Sequence, residues 1–232
     1  MTLLIAHRGD PLVLRENTLP SVRSAMTEGA DWVEVDVKLT RDGVAVLLHD
    51  DTLTRLWGHD RRVDALSFTE LGELTRGDRC RIPTLREALD LARDTGVPLM
   101  IDVPRLPEAL AAAALVRADG RFAQAVFTGP AAALAGLRAV ADEACVAMSW
   151  ESPLLPRPTL LRRVRPDYFN PHHRWLTAGR IARLQRRGLK VSTWTVDCPR
   201  RMADLASAGI DAIISNDLRS LRHVLALHST EQ

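Results

Sequence analysis

Short β-rich runs alternate with longer helical patterns along nearly all of this chain, and no other feature of the sequence restricts the fold as much. Strand candidates occupy residues 3–6, 33–39, 44–50, 98–103, 125–128, 145–149, 167–170, 190–195 and 211–215. Helix candidates occupy 18–28, 83–92, 106–119, 131–142, 153–164, 177–187, 199–207 and 218–226. Their ends carry stop and start signals: Thr18 and Pro20 open the first and Gly29 closes it, while Pro83 and Thr84 open the second and Gly96 lies just beyond it. Residues 51–81 have few strand signals and one short capped helix at 66–71, so they are expected to form a surface excursion.

Nine strand candidates with helices between most of them predict an α/β fold, a (β/α)8 TIM barrel with one surplus hairpin strand. At 232 residues the chain is long enough for one such barrel, so residues 1–232 are expected to be a single domain. An open doubly wound sheet would call for a Gly-rich phosphate turn after the first strand. His7-Arg8-Gly9-Asp10-Pro11 is not one.

The barrel reading gathers the chemically capable residues at one end. His7 and Arg8 leave the first strand, Glu34 and Asp36 lie on the second, Asp102 and Asn170 end their strands, and Trp194 sits late on the eighth. These are C-terminal strand ends, where barrel enzymes carry their sites. Glu34 and Asp36 are two residues apart and leave the same strand face, where two like charges repel unless a cation lies between them. Asp42-Gly43 between apolar runs predicts a hairpin, with the run after Gly43 folding back antiparallel. If those two residues are the loop, Arg41 faces Val44 and His49 stands opposite Asp36. A slip by one residue would turn the imidazole away.

Composition narrows the class. The net charge is +2 with basic and acidic residues interleaved, which is a solvated surface and no nucleic-acid footprint. Cys80, Cys145 and Cys198 are odd in number and lack any paired spacing, so neither a disulfide framework nor a zinc site is indicated. No integral membrane segment or leader pattern is evident, and a cytoplasmic location is expected. His172 and His173, after Asn170-Pro171, read as exposed loop residues.

His7-Arg8-Gly9, Glu16-Asn17-Thr18, Glu34-Val35-Asp36, Asp42-Gly43, His49-Asp50-Asp51-Thr52-Leu53, Pro83-Thr84-Leu85 and Trp194-Thr195-Val196 occur in the order seen in the glycerophosphodiester phosphodiesterases, and the chain resembles that family from end to end. The resemblance implies a distorted TIM barrel that uses a divalent cation to split a small-molecule glycerophosphodiester into an alcohol and sn-glycerol 3-phosphate. It implies His7 and His49 as the acid/base pair, Arg8 on phosphate, Trp194 beside glycerol, and Glu34 and Asp36 as metal ligands. The chemistry of the residues agrees: two imidazoles can divide proton removal and delivery, hard carboxylate oxygens suit Mg²⁺ or Ca²⁺, and a guanidinium fork suits phosphate.

One position departs from the pattern. Relatives usually carry Glu-x-Lys after the next strand, and here the run is Ile101-Asp102-Val103-Pro104. Asp102 keeps a carboxylate as third metal ligand, while Pro104 has neither charge nor backbone donor. Two further readings follow: a catalytically impaired barrel that binds a phosphorylated ligand, and a phospholipase-D-type lyase that forms a cyclic phosphate. Ser215-Asn216, where Thr-Asp is more usual, is a milder change.

Overall fold

Eight parallel strands close into a barrel in the computed structural model, which describes residues 1–75 and 81–230, the last two by backbone alone. The strands are β1 (Leu3–Ala6), β2 (Trp32–Leu39), β3 (Ala45–Leu47), β4 (Leu99–Asp102), β5 (Ala125–Gly129), β6 (Cys145–Trp150), β7 (Tyr168–Pro171), β8 (Lys190–Thr193) and β9 (Ala212–Ser215). The order is β1-β9-β8-β7-β6-β5-β4-β2, closed by β1 on β2 through Ile5 beside Trp32 and Ala6 beside Val33. β3 is the surplus strand, antiparallel on the outer side of β2.

The helices are α1 (Leu19–Thr27), α2 (Thr54–Trp57), α3 (Phe68–Leu74), α4 (Leu85–Thr95), α5 (Leu106–Ala118), α6 (Ala131–Val140), α7 (Pro158–Val164), α8 (Ala178–Gln185), α9 (Pro199–Ser207) and α10 (Leu218–Thr230). Local chemistry sets several of their ends. Thr84 and Glu87 form a reciprocal capping box on α4, and Gly96 closes it in the left-handed region at φ 74°. α7 begins at Pro158, later than the helical pattern suggested, because Pro156 and Pro158 bias the residues before them to extended backbone; Arg157 has ψ 145°. No helix among the described residues is long and apolar enough to cross a membrane.

Strand alternation divides the apolar residues between two cores. Val33, Val35 and Val37 of β2, with Leu99 and Ile101 of β4, face the helices in the large outer core. Ile5, Met100, Val126, Ala147, Tyr168, Ala212 and Ile214 form the smaller cluster filling the barrel. The 51–81 excursion is more than a surface loop where it is described. Leu53, Val63, Leu66 and Leu71 close with Val46 and Leu48 into a third apolar cluster, since a strand outside the barrel has a second face to cover.

The hairpin closes with three loop residues instead of two. Thr40 pairs with Val44 (N to O 3.0 Å), Gly43 N donates to Thr40 O (2.9 Å), and Gly43 takes φ 78°, the turn-plus-bulge form of a three-residue loop. Thr40 Oγ1 favours it by donating to Asp42 (2.6 Å) and accepting from Val44 N (3.0 Å). Val37 therefore pairs with Leu47, and Leu48, in place of His49, meets Asp36, its N–H 3.0 Å from Asp36 O. The expected opposition of His49 and Asp36 is corrected by one residue. β3 ends at Leu47, so strand alternation no longer governs where the next side chains point.

Candidate active site

Two positions beyond the barrel-filling side chains, the inward face turns polar. Ile5 is followed on that face by His7, Met100 by Asp102, Val126 by Thr128, Ala147 by Ser149 and Tyr168 by Asn170. Trp32 is likewise followed by Glu34 and Asp36. These residues floor a cleft of about 550 Å³ at the C-terminal ends of the strands. His7, Arg8, Glu34, Asp36, His49, Asp102 and Trp194 all line it, as does Pro104.

On the β1, β2 and β4 side, charge is crowded. Glu34 and Asp36 are buried, and burial together with the neighbouring carboxylates Asp36 and Asp102 drives the Glu34 carboxyl well above its ordinary range. Burial and Asp36 push Asp102 up to about 7. Arg8 is held charged by Asp36, Glu34 and Glu16 against the penalty of burial. Its Nε lies 3.1 Å from Asp36 Oδ2, and its NH1 lies 2.9 Å from Glu16. That buried Nε–H makes no well-aligned hydrogen bond, so its contact with Asp36 is an ion pair.

Backbone strain places these groups. Arg8 and Asn17 take φ 57° and 56°, and Asn17 N donates to Arg8 O (3.0 Å). The Asn17 amide then brackets Asp36, giving Nδ2 to Oδ2 (2.7 Å) and accepting from the Asp36 N–H (3.1 Å). Gly9 at φ 90° has no room for a side chain, because a Cβ there would stand 2.7 Å from the Ser21 backbone. Asp10, fully buried, anchors the same loop to α10 through both Arg219 nitrogens (3.0 and 3.1 Å).

His7 has a defined tautomer. Asp197 accepts from the Asn216 side-chain NH₂ and from its backbone N–H, each at 2.8 Å, so the Asn216 amide oxygen must face His7. His7 Nδ1 meets that oxygen at 2.8 Å and is therefore the protonated nitrogen. Nε2 keeps its lone pair on the cleft side, 3.9 Å from Glu34. Burial, then the Arg8 charge, pulls the His7 pKa below its usual value. His49 is more exposed, and its Nδ1 lies 2.7 Å from Asp50 Oδ1. Asp50 also accepts from Arg55 Nε (2.6 Å), and Arg55 reaches Glu16 (2.7 Å), so one chain of ion pairs joins the settings of His49 and Arg8.

Glu34 and Asp36, buried, and the partly buried Asp102 crowd three carboxyl groups against one guanidinium, and hard oxygens of this kind suit a divalent cation of the Mg²⁺ or Ca²⁺ class. Among the described residues no three His, Cys, Asp or Glu side chains stand already gathered for a metal ion. Lys38, two positions after Asp36, is buried; its charge opposes the rise at Asp102, yet its Nζ is tied to Asp51 at 2.7 Å and it does not line the cleft. Arg105 pairs with Glu108 and is not on the cleft wall.

The inward-facing layer at the ends of β5 to β8 is uncharged by contrast. Thr128 and Ser149 share a hydrogen bond (3.1 Å), Ser192 donates to Asn170 Oδ1 (2.9 Å), and Trp194 Nε1 donates to Asn170 O (3.1 Å). His172 and His173 are half-buried and stacked at 4.6 Å, with His172 edge-on to Trp194, so they are not the exposed loop residues expected. Neither lines the cleft. Cys145 and Cys198 are free, and burial raises the Cys145 thiol to about 11; Cys80 lies outside the described residues. Sequence reasoning noted Asn216 and Arg55 without giving either a role, and missed Asp197 and the Thr128-Ser149 layer. Extending the inward alternation by two residues on every strand would have found that layer; Arg55 bonds Asp50 five residues away, whereas Asn216 meets His7 only across the closed barrel.

The family model for the glycerophosphoryl diester phosphodiesterase family matches residues 7–220. The glycerophosphodiester phosphodiesterase of Caldanaerobacter subterraneus subsp. tengcongensis is 28% identical over 236 residues, spanning 95% of this chain and 96% of its own. Among solved structures, an Oleispira antarctica phosphodiesterase in complex with the product sn-glycerol-3-phosphate superposes with TM-score 0.89 at 23% identity, covering 97% of each chain. The glycerophosphodiester phosphodiesterase of Agrobacterium tumefaciens gives 0.84 at 23% identity, covering 96% of this chain and all of that one (100%). At that identity these superpositions speak for the barrel fold.

Proposed function

The chain belongs to the glycerophosphoryl diester phosphodiesterase family, and from that premise we propose that it hydrolyses glycerophosphodiesters to an alcohol and sn-glycerol 3-phosphate. The observation that carries this reading is the meeting, in one cleft, of an imidazole with a free Nε2, a guanidinium, and three crowded carboxylates.

His7 acts as base. Its Nδ1–H stays on Asn216 while Nε2 takes the proton from the attacking oxygen, and the Asn216 amide oxygen then faces the imidazolium. Arg8 sets its guanidinium charge against the non-bridging phosphoryl oxygens. His49, oriented by Asp50, gives a proton to the departing alkoxide, so one proton enters the site and one leaves it. Trp194 covers the glycerol. Glu34, Asp36 and Asp102 would hold the divalent cation, Mg²⁺ or Ca²⁺, which when bound supplies Lewis-acid polarisation of the phosphoryl group. The attacking oxygen is that of water or, in the lyase variant, the glycerol 2-hydroxyl.

Release of glycerol 3-phosphate from a panel of diesters, followed by phosphorus NMR with and without chelator, tests the reading. Turnover with Mg²⁺ or Ca²⁺ that chelation abolishes is expected, and a cyclic phosphate product would identify the lyase variant. Pro104 on the cleft wall, uncharged, favours one other reading, a barrel that binds a phosphorylated ligand without turning it over. Binding of glycerol 3-phosphate with no hydrolysis of any diester would establish that reading and remove the first.

A further inference from the structure

His49 lies on a short stretch of chain that is pinned at both ends and open in the middle. β3 stops at Leu47; main-chain bonds then hold Leu48, whose N–H meets Asp36 O, and Asp51, whose O meets Val63 N, at 3.0 Å each. His49 and Asp50 fall between those points. The His49 side chain is 46% exposed, too open for packing to choose its rotamer. Among the described residues its side-chain hydrogen bond is the one from Nδ1 to Asp50 Oδ1. An aspartate turns about two torsions of its own, so it can aim an imidazole only if it is itself held. Arg55 holds it. Arg55 Nε donates to Asp50 Oδ2 (2.6 Å), and its two terminal nitrogens grip both Glu16 oxygens (2.7 and 3.1 Å). Glu16 in turn accepts from Arg8 NH1 (2.9 Å). Against the cost of burial, the bonds from Arg55 and then His49 keep the Asp50 carboxyl below its ordinary value, so Asp50 is the acceptor and Nδ1 carries the hydrogen.

One planar guanidinium thus ties the segment behind β3 to the loop behind β1, with all three of its nitrogens engaged. Isolated ion pairs at half-exposed positions fix little, but a bidentate pair joined into a network does. Arg55 does not line the cleft, so it reaches the reaction only through the carboxylates it grips. We propose that Arg55 is a positioning residue for proton delivery: by fixing Asp50 against Glu16 it sets the direction in which His49 presents Nε2–H to the departing alkoxide. As the bond from phosphorus to that oxygen breaks, its electron pair leaves with the oxygen and takes the Nε2 proton, while Nδ1–H stays on Asp50. This rests on the phosphodiesterase reading above and adds what keeps its acid in aim.

The test compares kcat for the alkyl diesters of the panel above with kcat for the p-nitrophenyl ester of sn-glycerol 3-phosphate, in the full chain with its metal. An alkoxide needs a proton to depart, whereas nitrophenolate leaves without one. Arg55→Met should lower kcat for the alkyl diesters by roughly 10- to 100-fold and for the nitrophenyl ester by less than about threefold. Arg55→Lys keeps the charge without the fork and should behave as Arg55→Met does. The double variant Asp50→Asn with Arg55→Met should lose no more than Asp50→Asn alone, because Arg55 works through that carboxylate. Equal losses on both kinds of ester, full activity in Arg55→Lys, or multiplying losses in the double variant overturn the positioning role while leaving the hydrolase standing. No turnover of any of these esters by the wild type overturns the phosphodiesterase reading, and the role of Arg55 falls with it.

Discussion

The two walls of the cleft are built by the same device and end up with opposite contents. On both, the residue two positions above the barrel filling turns polar. On the β1, β2 and β4 wall it is a histidine or a carboxylate, and burial leaves these groups in mutual conflict: Glu34 and Asp102 are pushed up, and Arg8 is wedged against Asp36. On the β5 to β8 wall it is a hydroxyl or an amide, and the groups satisfy one another, as Thr128, Ser149, Asn170 and Ser192 do. Conflict held in place by surrounding structure marks the wall prepared for chemistry; a satisfied network marks the wall that shapes the cleft.

The contrast predicts where mutations act. His7→Ala, on the conflicted wall, should lower kcat by about 10²- to 10⁴-fold with little change in thermal midpoint, read from steady-state kinetics beside a melt. Retained activity would strip that wall of its assigned role. Asn17→Gly keeps the left-handed backbone and deletes the amide that brackets Asp36. It should weaken the metal dependence of activity by about 10- to 100-fold in a metal titration.

Asn170→Ala, on the satisfied wall, should instead cost about 1–3 kcal/mol of stability, because it strands the Ser192 hydroxyl and opens space around a buried position. A denaturant melt measures it, and a loss of kcat as large as that of His7→Ala would erase the distinction between the walls. The smallest effect is expected at Asp10. Burial alone would raise its carboxyl, but the hydrogen bonds from Arg219 and Ser24 hold it below its ordinary value. A depressed folded-state pKa contributes stability above the ordinary carboxylate range, and that contribution is lost as pH falls through the folded value. Arg219→Met should therefore cost about 1 kcal/mol near neutral pH, discounted because Arg219 is half exposed, and should flatten the loss of stability on acidification. An acid limb as steep as that of the wild type would show that the pair contributes nothing.

Much of the fold was legible in order of appearance. Caps at Thr18, Thr84 and Gly96, the strand runs and the surplus hairpin all follow from contacts within a few residues, and the period of two on β2 correctly sent Glu34 and Asp36 to the same side. The hairpin register was missed because the choice between two and three loop residues turned on the Thr40 hydroxyl and its bonds to Asp42 and Val44. The late start of α7 was written in Pro156 and Pro158, a signal that the Leu-rich pattern masked.

The sequence by itself determined the elements, their inward and outward faces, and which side chains reach the strand ends. The tertiary structure decided which of them meet. Asn216 reaches His7 across 209 positions of chain, and the same separation joins Arg219 to Asp10. Neither contact leaves a periodic trace, because both exist only once β1 has closed between β9 and β2. Local periodicity is enforced by backbone geometry within one element, whereas the partner that fixes a histidine's tautomer is chosen by the closure of the whole sheet.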